Sequence, residues 1–158
     1  KLVDISQQFL KIISRTFFPF LSRKIDKHTL FSKIYMLFTL IVTLGLIFFA
    51  PFLIPVFFSE EFSESIKVLR LMAISGVFLT MSNIYGTNYL IIIGRERSLR
   101  NLTMYASLLG FVIAIPLIYY GGYMGAVAII VFVRMLLGVG SYLLAYNCKK
   151  NICKKNLL

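Results

Sequence analysis

From Asn101 to Cys148 the chain carries a single charged side chain, Arg134. A bilayer hydrocarbon core about 30 Å thick is crossed by roughly 20 apolar residues in helical form, so a run of this length holds two crossings and must fold back. The Gly121-Gly122 pair is the natural point of reversal, because paired glycines punctuate helical patterns. Spans are expected over about 101–120 and 123–146. Residues 34–58 are uncharged across 25 positions, enough for another span even with Pro51 and Pro55 distorting its last turns. Residues 71–94 are also uncharged, and their helix is expected over 66–93 with Lys67 and Arg70 in its first turns.

With 59% hydrophobic and 15% charged residues, against about a quarter charged in soluble domains, a water-soluble fold is excluded. The net charge of +11 does not point to nucleic acid. Its basic residues fall in short clusters between apolar runs rather than on one solvated face. Positive loops stay on the cytoplasmic side of a membrane. Arg23, Lys24, Lys27 and Lys33 mark one such loop, Arg95, Arg97 and Arg100 a second, and Lys149, Lys150, Lys154 and Lys155 a tail. The stretch from Ser59 to Ser65 has three acids and no base, and Tyr120–Tyr123 has no charge, so both belong outside. This alternation accommodates five spans.

The first of these, residues 2–22, is the least hydrophobic. On a helix its polar side chains Asp4, Gln8, Lys11, Arg15 and Ser22 fall along one face. Such a stripe suits a water-filled cavity, while an interfacial helix lying flat on lipid headgroups is the competing reading. The expected fold is therefore an all-α polytopic membrane protein of about five transmembrane helices. It forms a single transmembrane domain over residues 1–158 with a basic cytoplasmic tail at 147–158. The chain begins with Lys1 and shows no signal-peptide pattern, and it reads as a C-terminal fragment.

Arg134 is the most informative residue. Near the middle of a span its guanidinium keeps its charge and can grip a phosphate with paired hydrogen bonds; a structural arginine satisfied by carbonyls or a carboxylate is the alternative. Asn83 shares a face with Ala73, Gly76, Thr80 and Thr87, a stripe that more often packs helices than binds cargo. Arg70 can line a cavity mouth or snorkel to the interface. Lys11, Arg15, Arg134, Arg70 and Asn83 form the expected substrate-binding set of a cationic cavity. No nucleophile has an evident base, the lone histidine, His28, falls in a basic loop, and no metal-ligand spacing occurs. The chain is not expected to be an enzyme, and no cofactor or metal is implied. Cys148 and Cys153 match no zinc or redox motif, and the aromatic residues suit lipid contact and interfacial belts.

Phe17-Phe18-Pro19-Phe20-Leu21-Ser22-Arg23 resembles the proline-x-x-serine signature of polysaccharide flippases in the multidrug, oligosaccharidyl-lipid and polysaccharide exporter superfamily. Val68-Leu69-Arg70, with the helix ending Leu90-Ile91-Ile92-Ile93-Gly94-Arg95, is similar to their tenth helix, and Tyr120-Gly121-Gly122-Tyr123-Met124-Gly125-Ala126 to the hairpin before their twelfth. The resemblance implies helices 8 to 12 of a twelve-helix, two-lobe transporter, with the N-terminal helices of the same protein as its partner lobe. It further implies an O-antigen or capsule flippase of the bacterial inner membrane, with a cytoplasmic C-terminus. Its cargo would be an anionic, undecaprenyl-diphosphate-linked oligosaccharide moved by alternating access, with membrane lipids as its other partners and no nucleic acid. A multidrug or other small-molecule exporter of the same superfamily, and a non-transporting membrane assembly subunit, are the alternatives.

Overall fold

A computed structural model describes residues 7, 8, 11, 12, 14–16, 19, 28–57 and 65–155. The described residues before position 20 are helical. They are followed by α1 (His28–Phe57), α2 (Ser65–Met81), a π-helical continuation of α2 (Ser82–Leu90) and α3 (Glu96–Lys155). Among the described residues, three stretches are long and apolar enough to cross a membrane: His28–Phe52, Ser65–Leu90 and Glu96–Lys149. Most of the expected 2–22 span and of the 59–65 loop lies outside the described residues.

The helices extend beyond the apolar runs that mark them. α1 begins at His28, so Lys33 is helical rather than part of a loop, and it continues through Pro51 and Pro55 to Phe57. The tail is likewise not irregular, since α3 stays helical to Lys155. Hydropathy marks the part of a helix that lipid covers, whereas backbone hydrogen bonding carries the helix past that boundary.

α3 is two helical arms, a proximal arm over 96–121 and a distal arm over 123–155, joined at Gly122, whose φ of 53° and ψ of −134° break the helix. That backbone region is open to glycine and strained for other residues. The arms then run antiparallel and close together. A Cβ on Gly125 would collide with the Leu117 carbonyl, one on Gly110 would approach Val133 at 2.5 Å, and one on Gly140 would approach Leu102 at 2.6 Å. Glycine at these levels lets the arms approach, as small residues do between membrane helices.

α2 packs against both neighbours. Against the distal arm of α3 it runs parallel, with Phe78 at Gly138 and Ser82 at Ser141. Against α1 it runs antiparallel: Thr39 meets Thr80 through a 3.3 Å hydroxyl contact, and Ala50 and Ile54 pack on Leu69. Several polar side chains are enclosed beside apolar ones such as Ile84 and Leu90, while many large apolar side chains face outward. Ser75, Ser141, Thr39 and Asn88 are fully enclosed, while Phe48 is 79% exposed and Phe111 69%. Apolar surface on this scale is rare on soluble monomers, and it is what a membrane protein presents to lipid.

Candidate functional site

Polar groups gather at two levels of the bundle. The first lies midway along α2. Arg134 Nη1 donates a 2.7 Å hydrogen bond to Ser75 Oγ, and that hydroxyl donates in turn to Met72 O at 2.7 Å. Ser75 is 0% exposed and Arg134 half-buried. The face of the distal arm that holds Arg134 continues through Gly138, where an added Cβ would lie 2.5 Å from Phe78 O, to Ser141. Close packing below the arginine thus fixes its height. One residue along α2, Gly76 is covered by Gln7, whose Nε2 lies 3.5 Å from the position of an added Cβ. Among the described residues this nitrogen is buried without a hydrogen-bond partner, an expensive state for an amide.

The second level surrounds the π-helical segment, where the backbone follows the wider i to i−5 pattern. Ile91 N donates to Gly86 O at 3.3 Å and Arg95 N to Leu90 O at 2.8 Å. Such insertions into α-helices recur at functional positions. Asn88 Nδ2 donates to Ser14 Oγ at 2.8 Å, and the Tyr35 side chain is hydrogen-bonded with Ser14 and Asn83. On its other side the segment borders a cavity of about 610 Å³, lined among others by His28, Tyr85, Tyr89, Tyr142, Tyr146 and Lys149. His28 is buried, and its Nε2 lies 3.1 Å from Ile84 O. Because a carbonyl only accepts, Nε2 carries the proton. The His28 ring sits 4.9 Å from that of Tyr89, and Tyr85 meets Tyr142 edge-on at 5.0 Å.

The expected binding residues do not converge on one site within the described chain. Arg134 sits at the mid-depth level and Asn83 at the π-helical level, on the side of Tyr35. Arg70 is exposed on α2, and Lys11 and Arg15 are exposed on the N-terminal segment. That segment turns Gln7 and Ser14 toward the bundle and leaves Lys11 and Arg15 exposed beside them. The stripe on α2 is chiefly a packing face, with Ala73, Gly76 and Thr80 buried and Thr87 exposed. The tyrosine-lined cavity is the feature that sequence reasoning missed, having treated the aromatic residues as lipid contacts and His28 as a loop residue. Its signal was the pair of four-residue spacings, Tyr85 to Tyr89 and Tyr142 to Tyr146, each within a few positions of a basic cluster.

No family model matches the chain, and no solved structure matches it. Among curated proteins it is similar to one from Shigella dysenteriae named "Putative O-antigen transporter", with 29% identity over 143 residues. The alignment takes in 87% of this chain and 36% of that protein, so the chain spans about a third of the length of the relative it matches. The likeness joins a protein named as a transporter to a chain whose described helices are long and apolar enough to cross a membrane.

Proposed function

We propose that the chain is part of a flippase that moves an undecaprenyl-diphosphate-linked oligosaccharide, an O-antigen or capsule repeat unit, across a bacterial inner membrane. The observation that carries this reading is the half-buried guanidinium of Arg134, held at mid-depth by Ser75. A charge at the bilayer centre costs about 2.5–3.5 kcal/mol on insertion scales, so its presence calls for a use. Arginine keeps its proton in such surroundings, and its planar fork matches phosphate oxygens. The bond to the Ser75 hydroxyl helps to position the charge. Lys11 and Arg15, exposed on the N-terminal segment, would add positive charge from that segment.

Transport would follow by rocking one helical lobe against the other around the bound headgroup, as in repeat-built transporters. The basic ends of the helices would face the cytoplasm, placing the C-terminus there. No chemical step is involved, and the protein would act as a carrier rather than an enzyme. Cationic cargo for a multidrug exporter would call instead for buried carboxylates, and Arg134 argues against it.

One observation favours a second reading. The Arg134 to Ser75 bond also joins α2 to the distal arm of α3, as it would in an assembly subunit that transports nothing. Arg134→Gln and Arg134→Lys in the full-length protein separate the two. If the charge binds cargo, Gln preserves abundance and lowers transport by about 10- to 100-fold, the worth of about 1.5–3 kcal/mol in charge-assisted hydrogen bonds, while Lys retains part of the activity. Loss of abundance in both variants would favour the assembly role.

A further inference from the structure

We infer that the cavity between the π-helical segment and the distal arm of α3 is a docking site for a sugar phosphate headgroup, distinct from the level of Arg134. The inference rests on the transport reading for its biological occupant. The cavity's own chemistry supplies the ligand class.

Lys149 is the one formal cation among its described lining residues, and no carboxylate lines it, so an anion is favoured over a cation. Bare phosphate is a poor match for the rest of the wall. Tyr85, Tyr89, Tyr142 and Tyr146 present apolar ring faces together with hydroxyl groups. A pyranose is mixed in the same way, with C–H faces and a hydroxylated edge. Nε2 of His28 donates to Ile84 O, and in a neutral imidazole with that tautomer Nδ1 is an acceptor. An acceptor has nothing to offer a phosphate dianion, but it can take a hydrogen bond from a sugar hydroxyl. The volume of about 610 Å³ falls within the roughly 300–1,000 Å³ usual for small-molecule sites.

The π-helix helps to build the wall. With more than four residues per turn, it brings Tyr85 and Tyr89 to the same side, next to His28 at ring distances of 6.2 and 4.9 Å. The site is also well separated from the mid-depth arginine. Lys149 lies fifteen positions beyond Arg134 on one continuous helix, about 22 Å at 1.5 Å per residue. It sits toward the basic end of the bundle, where Arg95 precedes the proximal arm and Arg97 and Arg100 lie in its first turns. A headgroup arriving from that leaflet would meet this cavity before it reached Arg134.

The test uses the full-length protein in phosphatidylcholine nanodiscs, titrated calorimetrically with glucose 1-phosphate, inorganic phosphate and glucose. Glucose 1-phosphate is expected to bind at least tenfold more tightly than either of the others. Lys149→Gln and Tyr142→Leu should each weaken it tenfold or more, while Lys149→Arg keeps most of the affinity and shows that the charge, not the fold, was lost. Equal binding of inorganic phosphate, or affinity unchanged by Lys149→Gln, would overturn the assignment. So would competition by phosphatidylglycerol in the disc, which would give the cavity to ordinary lipid headgroups. Binding is read without transport, so the two readings fail separately. A protein that transports but binds no glucose 1-phosphate overturns the docking site alone, and one that binds it at Lys149 without transporting upholds the site and removes the flippase reading.

Discussion

Ser14 and Asn88, 74 positions apart, meet through a 2.8 Å hydrogen bond in which Asn88 Nδ2 donates to Ser14 Oγ. Asn88 is 1% exposed, so removing the serine hydroxyl strands a buried amide donor. Ser14→Ala is expected to cost about 1–2 kcal/mol, the upper part of the range for polar contacts between membrane helices. Adding Asn88→Ala should cost little more, because the stranded group then disappears. Detergent melting curves of the two single variants and the double variant check this, and strict additivity would show that the side chains act independently.

Gly138→Ala places a methyl group 2.5 Å from Phe78 O, whereas Gly45→Ala meets nothing within 4 Å. The first should destabilise by about 1–3 kcal/mol, as overpacking does. The second should be neutral or gain up to about 1 kcal/mol of helix propensity. Thermal stability in one detergent compares them, and equal melting points would contradict the close approach of α2 to the distal arm.

At the hairpin tip the cost is conformational. Gly122 has φ 53° and ψ −134°, so Gly122→Ala should cost about 1–3 kcal/mol of backbone strain. Gly121→Ala, with open space around its position and no positive φ, should be tolerated. The folded fraction by size-exclusion chromatography distinguishes them.

The register of the two arms makes a prediction about sidedness. Leu102 faces Gly140 and Leu117 lies at Gly125, so positions 97 and 149 lie at the same end and Gly121 at the other. Cysteines at 97 and 149, in a background without Cys148 and Cys153, should react with an impermeant maleimide from one side of the membrane. A cysteine at 121 should react from the opposite side. Labelling of 97 and 149 from different sides would contradict the hairpin.

Sequence alone was enough to identify helices of membrane-crossing length, and to mark Gly121-Gly122 as the place where α3 reverses. These properties depend on runs of side chains considered one after another: hydrocarbon excludes charge, and paired glycines weaken a helix wherever they occur. Only the tertiary structure decided which faces meet. Gln7 and Ser14, not the more conspicuous Lys11 and Arg15, turn inward on the N-terminal segment. His28 and Lys149 come to line one cavity from opposite ends of the chain, and Arg134 takes Ser75 as a partner. The reason is that a helix between lipid and protein gains little from apolar burial on either side. Its orientation is settled by where small residues let backbones approach and where polar groups find partners, and both depend on the neighbouring helix.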